Sequence, residues 1–402
     1  MNSYKNVDVC RCCGSNNLKC VLDLNNQPLA NSYHNNKEIL EEYPLKLNLC
    51  EECFNCQLSV VVDPSLMFKN YLYVSGTTDT LKEYFDFFAK FTLQRYKYLN
   101  NSSAKKILDI ACNDGTQLDY YKSMGLKTVG IDPAENLYPK SSKKHDIICD
   151  FFPTQISEKF DIIIAQNVFA HIHEINKFLI SCGDILENGG VIYIQTSQSN
   201  MIKNNEFDTI YHEHLSFFNT LSMKKIVESC GLVLNNVFKF DIHGSSYVFE
   251  VGKTTKDSNI DSVLKIERKE GLYSIETYLN FAKNAVEITN NLKNVVKKYK
   301  EEGYLVVGYG AAAKGMTLLN FGKIQLDFII DDNPMKNGLY TPGLNIPIHS
   351  IKILDSLTKE KIVFVPLAWN FFDEIKNRIE KVRKLKNDVF VKYFPSIDIN
   401  ET

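Results

Sequence analysis

An α/β fold in three parts is what this sequence predicts, on three observations. Two Cys-x-x-Cys pairs, Cys10/Cys13 and Cys50/Cys53, sit in an N-terminal segment too short to build much core of its own. The apolar run Ile107–Ile110 ends in a small-residue turn, Asn113-Asp114-Gly115, and opens a helix. A second run, Tyr304–Tyr309, does the same through Gly310-Ala311-Ala312-Ala313-Lys314-Gly315. The expected parts are residues 1–72, a metal-stapled module; 73–255, a parallel doubly wound sheet with crossover helices; and 256–402, a helical connector leading into a Rossmann-like α/β unit.

The elements follow from periodicity. Leu81, Tyr84, Phe85, Phe88, Leu93, Tyr96 and Leu99 recur at helical spacing, so Thr80–Leu99 reads as a helix. Strands are expected at 106–110, 128–131, 160–165, 191–196 and 247–251, with helical patterns such as Leu118–Met124 between them. Residues 258–300 read as one or two long helices, since no glycine falls between Leu272 and Glu302. Further strands are expected at 326–330, ending in Asp331-Asp332, and at 362–365.

Bulk composition removes several functional classes. At 402 residues the chain calls for two or three domains, and 44% hydrophobic content supplies their cores. A net charge of −2, with the lysines of 292–300 interrupted by apolar residues at helical spacing, gives no electrostatic footprint of a nucleic-acid binder. No apolar run is long enough to cross a bilayer, and Met1–Asp8 is too polar for a secretory leader. Eleven scattered cysteines, an odd count, argue for reduced thiols in the cytoplasm rather than a disulfide framework.

Thiolates two residues apart reach one tetrahedral ion, so Cys10-Arg11-Cys12-Cys13-Gly14 and Cys50-Glu51-Glu52-Cys53 predict a zinc site. Cys12 and Cys56 remain rival ligands, because Cys53-Phe54-Asn55-Cys56 has the same gap. Four thiolates leave no open position, so the metal is expected to be structural.

The segment 107–115 places Asp109 inside a strand and Ala111, Asn113, Asp114 and Gly115 in the turn, where backbone amides can approach a nucleoside. It lacks Gly-x-Gly-x-x-Gly, which argues against a pyrophosphate-containing dinucleotide. Asp132 closes the next strand, where a carboxylate can accept ribose hydroxyls, and Asp150 follows a third, beside the expected adenine. S-adenosylmethionine has ribose and adenine but no phosphate, and suits this set better than NAD.

With these residues in view, the chain resembles the three-domain, zinc-containing, S-adenosylmethionine-dependent C-methyltransferases of nucleotide-linked keto-deoxysugars. The likeness covers nearly the whole chain. It rests on Cys10–Gly14, Gln27–Asn31 and Cys50–Leu58; on Asn113–Gly115, Asn167–His171 and Glu206–Phe218; and on Gly308–Gly315, Tyr340–Gly343 and Leu367–Asn370. The resemblance implies a central class I methyltransferase sheet and methylation of the carbon beside the ketone of a 4-keto sugar carried on thymidine diphosphate or another nucleotide. It implies His214 as general base with Glu213 beside it, Tyr211 against the sugar, His171 and Tyr73 lining the sugar pocket, and Asn167 among the cofactor-binding residues. The chemistry is coherent: a carbonyl acidifies the neighbouring C–H, a base removes the proton, and a donor stabilises the enolate.

The family's His-Gly-Gly-Ser-x-Arg is here His243-Gly244-Ser245-Ser246-Tyr247-Val248, so an arginine is absent and His243 keeps a weaker place among the substrate-binding residues. Lys314, after the second glycine turn, is expected to pair with a diphosphate oxygen, unless that domain serves only to build the cleft. His173 and His212 read as structural, Trp369 as core, and Tyr73 equally as aromatic packing. An O-methyltransferase and a non-catalytic zinc-bearing module are the rival readings. A monomer or weak dimer acting on a small molecule, away from membranes and nucleic acid, completes the expectation.

Overall fold

The computed structural model describes residues 3–68, 74–77, 79–197, 200–242, 244–383 and 388–401. Tyr73 and His243 lie outside the described residues. The N-terminal part is a four-stranded antiparallel sheet in the order 216–217, 56–58, 43–50, 18–27, beside a ribbon pairing 4–6 with 60–62. Its best-formed strand, Tyr43–Cys50, alternates as period two requires: Tyr43, Leu45, Leu47 and Leu49 are buried while the residues between them are half-buried. Strand Ser216–Phe217 enters this sheet from the middle of the chain and carries the segment just after His214 into the N-terminal lobe.

The central sheet has seven strands in the order 233–240, 246–252, 186–196, 160–166, 106–110, 127–131, 146–148. The last five run parallel, as the alternation of strands and helices demands. The strand read at 247–251 does not: Ser246–Gly252 pairs antiparallel with both its neighbours, so the sheet is mixed. Only residues 241–245 join it to strand Val233–Phe240, too short a link for the dozen or more residues of a parallel crossover.

Helices Asp79–Asn100 and Thr116–Ser123 cover one face of this sheet through Phe88, Leu118 and Tyr121, and helices 175–185, 220–229 and 260–269 cover the other. Strand order reverses around 106–110, whose neighbours are 127–131 and 160–166. The carboxyl ends of these strands therefore leave a crevice where a ligand can enter.

Helix Ile275–Glu301 is more than a connector. Tyr278, Phe281, Ala285, Ile288, Leu292 and Val296 form one buried stripe shared with Leu24, Leu45 and Leu47 of the N-terminal sheet and Val306 and Leu318 of the C-terminal unit. Each fully buried apolar side chain here contributes about 1.5–3 kcal/mol, which joins the first and last parts of the chain through a common core. The C-terminal sheet runs 348–349, 328–330, 305–309, 362–366, 389–392, 398–401, parallel except for its last strand.

Candidate active site and metal centre

The two cysteine turns are built alike. In the first, Gly14 N–H donates to the Cys10 carbonyl at 2.9 Å and Cys10 N–H to Ser15 at 2.7 Å. In the second, Phe54 N–H donates to Cys50 at 2.8 Å and Cys50 N–H to Asn55 at 2.9 Å. Both turns need a left-handed residue after the second cysteine, Gly14 at φ 73° and Phe54 at φ 55°. A phenylalanine tolerates that backbone only at a cost of order 1–3 kcal/mol, which the rest of the turn must offset.

The four sulfurs of Cys10, Cys13, Cys50 and Cys53 lie within 4.8 Å of one another, with Cys10–Cys53 and Cys13–Cys50 at 3.5 Å. Four sulfurs about 2.3 Å from a shared tetrahedral zinc would stand roughly 3.8 Å apart, so the set fits that ion. Cys56 is excluded as a ligand by register: it pairs with Leu49 and Phe217 and is buried among Leu47, Leu49 and Leu58.

A cavity of 1410 Å³ opens at the carboxyl end of the central strands, walled by all three parts of the chain. Single-ligand sites span about 300–1,000 Å³, so there is room for a cofactor and a second molecule. Asp109, Ala111, Asn113, Asp132, Asp150 and Asn167 line it, and so do His171, Tyr211, His214 and Lys314. Tyr4, Val62 and Pro64 come from the N-terminal part and Asn370 from the last.

The turn after strand 106–110 is held by its neighbour. Ala111 and Asn113 take positive φ, 63° and 52°, and Asn113 N–H donates to Asp132 Oδ2 at 2.8 Å. Ala134 N–H donates to Asp132 Oδ1 at 2.8 Å, which fixes the carboxylate and leaves each oxygen a lone pair for a ligand. Burial raises the pKa of Asp109, with Asp132 adding repulsion, and burial also raises that of Asp132. Asp150 is exposed and accepts from Phe151 N–H at 2.7 Å and Thr154 Oγ1 at 3.1 Å.

Two buried acceptors lining this cavity, Asn167 Oδ1 and Gln117 Oε1, have no hydrogen-bond donor among the described residues. A wall of carboxylates and orphaned carbonyl oxygens calls for a ligand with N–H and O–H donors and positive charge. S-adenosylmethionine, with its ammonium, ribose hydroxyls, adenine amine and sulfonium, fits that donor demand.

Two of the expected cofactor residues face elsewhere. Asp114 binds Lys140 at 2.7 Å and Thr116 N–H at 3.2 Å, and Gly115 lies against helix 138–141, where an added Cβ would stand 3.1 Å from His145. Neither lines the cavity. Their work is to shape the turn.

His214 is 7% exposed, and its Nδ1 lies 2.7 Å from the Thr209 carbonyl. A carbonyl only accepts, so Nδ1 carries the proton and Nε2 presents a lone pair, 3.1 Å from the Tyr211 hydroxyl. Burial, with the Lys314 charge adding to it, pulls the pKa of His214 down to about 4 against the Thr209 bond, which keeps the ring neutral. His171 packs beside it, ring centroids 5.1 Å apart, and stacks on Phe68 at 5.5 Å.

Glu213 points away: it does not line the cavity, and Asn31 Nδ2 donates to its Oε1 at 2.6 Å. Its place is at the joint with the N-terminal part. His212 is buried with Nε2 3.2 Å from the Tyr43 carbonyl. Trp369 is not simple core: its indole N–H donates to Asp208 at 2.8 Å, and Lys314 Nζ sits over its ring at 5.0 Å.

Sequence reasoning passed over Gln166, Gln195 and Tyr84, which line the cavity and bond to one another: Tyr84 O–H to Gln195 Oε1 at 2.7 Å and Gln166 Nε2 to the same oxygen at 2.9 Å. Polar residues at the ends of the apolar runs 160–165 and 191–194 were the available signal. Thr209 gave none, since it acts through its carbonyl.

Three family models match along the chain in order: "Putative zinc binding domain" on residues 10–68, "Methyltransferase domain" on 80–236 and "C-methyltransferase C-terminal domain" on 241–395. The chain is similar to the C-methyltransferase NovU of Streptomyces niveus, 26% identical over 388 residues that cover 92% of this chain and 91% of that one. A shorter match runs to the ubiquinone biosynthesis O-methyltransferase of Rhodopseudomonas palustris strain BisB18, 29% identical over 112 residues, 26% of this chain and 44% of that one. Among solved structures, the plantazolicin methyltransferase BpumL in complex with SAH overlaps at a TM-score of 0.37 and 15% identity, covering 44% of this chain and 87% of that one. With three models in sequence and one likeness running nearly end to end, the chain is an S-adenosylmethionine-dependent methyltransferase similar to C-methyltransferases that carry an N-terminal zinc-binding domain.

Proposed function

We propose that this enzyme methylates the carbon beside the ketone of a nucleotide-linked 4-keto-deoxysugar. The observation that carries the reading is His214: a neutral imidazole whose Nε2 lone pair meets the same cavity as the acidic cofactor wall. S-adenosylmethionine, when bound, supplies an electrophilic methyl group on a sulfonium.

His214 Nε2 takes the proton from the acidified ring carbon, and the electron pair left behind delocalises onto the carbonyl oxygen. The Tyr211 hydroxyl, released from Nε2 as the substrate carbon approaches, turns to donate to that oxygen. With a pKa of about 4 the imidazole is a weak base, so stabilising the enolate has to supply much of the driving force. His171 braces the His214 ring. Asp132 holds the ribose of the cofactor, and Lys314 meets the negative charge of the nucleotide's diphosphate. Glu213 contributes only through the joint it makes with Asn31.

The test is mass spectrometry of products from a panel of keto-sugar nucleotides, with a parallel assay in deuterated water using S-adenosylhomocysteine in place of the methyl donor. The reading expects a carbon-linked methyl group and donor-independent exchange of the α-proton. A methyl group on oxygen, with no exchange, would replace it with an O-methyltransferase.

A further inference from the structure

Arg11 sits between ligands of the cysteine site, yet its side chain serves the other end of the reaction machinery. It is 7% exposed and makes no ion pair with a carboxylate among the described residues. A buried guanidinium without a carboxylate partner carries a desolvation cost of several kcal/mol, which the Cys10 and Cys12 sulfurs beside it and its hydrogen bonds must offset. Four of its five N–H donors are used, on backbone and on one histidine. Nη1 donates to the Leu58 carbonyl at 3.0 Å and the Leu215 carbonyl at 2.9 Å, Nη2 to the Val60 carbonyl at 3.4 Å, and Nε to His173 Nδ1 at 3.3 Å. Its own backbone N–H is fixed by Gln57 Oε1 at 2.8 Å.

Two of these acceptors bracket the histidine pair. Leu215 follows His214, and its N–H donates to the Ala170 carbonyl, the peptide that precedes His171, at 2.7 Å. His173 lies two residues beyond His171 and lines the cavity. One planar fork thus grips the segment carrying His171, the segment carrying His214 and the strands next to the cysteine site. We propose that Arg11 is a positioning residue that couples the turn of the cysteine site to the His171–His214 pair and sets where His214 stands. The claim rests on the function proposed above only for the name of the base.

The coupling differs from general stabilisation in one respect: it predicts a change at His214 without loss of metal or cofactor. The experiment compares the full-length, zinc-loaded protein with R11M, which removes the fork, and R11K, which keeps a charge able to reach one carbonyl. Zinc content, the dissociation constant for S-adenosylmethionine, turnover on the keto-sugar nucleotide, and ring-to-ring contact between His171 and His214 by NMR are measured for each. The expected result is a kcat at least about 10-fold lower in both variants, KM and cofactor affinity within about threefold of the parent, unchanged zinc, and an altered ring-to-ring contact.

Unchanged kcat with unchanged ring contact overturns the coupling, as does loss of cofactor binding or zinc in step with kcat in both variants. Should R11M fail to fold, R11K decides by the same readouts. If the parent protein itself turns over none of the sugars, the functional reading has failed instead, and the ring contact, which needs no substrate, still tests Arg11.

Discussion

The central and C-terminal units contain the same local device, and only one of them is left open. In the central unit Ala111 N–H donates to the Ile131 carbonyl at 2.7 Å, and Asp132 takes Asn113 N–H and Ala134 N–H, each at 2.8 Å. In the C-terminal unit Gly310 N–H donates to the Ile330 carbonyl at 2.7 Å, and Asp331 takes Ala311 N–H at 2.7 Å and Asn333 N–H at 2.8 Å. The carboxylate after the second strand locks the turn after the first in both.

What differs is the occupant. Asp132 faces the cavity, whereas the second turn is filled by protein: Lys336 Nζ and Tyr33 O–H each donate to the Ala311 carbonyl at 2.6 Å, and Lys336 lies 3.8 Å from Asp331. Tyr33 comes from the N-terminal part. A strand–turn–helix with an acidic partner therefore defines a place where a ligand can sit, and side chains from elsewhere decide whether one does. The filled copy ties the first and last parts together and sets helix 313–322, from which Lys314 reaches into the open one.

The largest effect that would test this contrast is at the open site. His214→Ala should lower turnover by about 10²–10⁴-fold, the range for a positioned general base, while the dissociation constant for S-adenosylmethionine stays within about twofold. The pH profile sharpens the point. A base whose pKa is lowered is active above it, so kcat/KM for the sugar at saturating cofactor should hold from neutrality downward and fall only near pH 4. An acid limb near 6.5, the usual imidazole range, would mean that His214 is solvated during turnover or is not the base.

Next comes the pair of carboxylates. Asp132→Ala should weaken cofactor binding about 10- to 100-fold, since a hydrogen bond to a charged group contributes about 1.5–3 kcal/mol. Asp331→Ala should leave that affinity alone and instead lower unfolding stability by about 1–3 kcal/mol, because the N–H groups of Ala311 and Asn333 lose their acceptor. Calorimetry and denaturant titration on both variants read the two quantities. Equal loss of affinity in both would erase the distinction between an open and a filled turn.

That distinction was only half legible in the sequence. Local spacing revealed both strand–turn–helix units and the cysteine pairs, because each depends on neighbours a few positions away, whereas Tyr211 and His214 entered only through the family resemblance. The occupant of the second turn was not legible, because Tyr33 is nearly 300 residues from Ala311 and Lys336 looks like any lysine in a polar loop. Asp114 and Gly115 lie off the cavity for a related reason: being part of a turn does not fix which side of it a residue faces. Glu213, one residue from His214, does not line the cavity and meets Asn31. Strand 246–252 was expected, but not its antiparallel direction, because an apolar strand has no direction in its composition; only the short link from strand 233–240 assigns one.

The smallest effect is the most discriminating for the filled turn. Tyr33→Phe removes one donor from the Ala311 carbonyl, but Lys336 still satisfies that oxygen, so stability should fall by only about 0.5–1.5 kcal/mol. Lys336→Met should cost more, up to about 3–5 kcal/mol, because it also strips Asp331 of the cation 3.8 Å away. Changing both leaves a buried carbonyl with no donor, and the double variant should lose about 0.5–3 kcal/mol beyond the sum of the single changes. Urea unfolding of the four proteins gives that interaction term. A sum without excess would mean that water enters the turn as soon as either side chain is withdrawn, and that the second crevice is closed far more loosely than two 2.6 Å bonds imply.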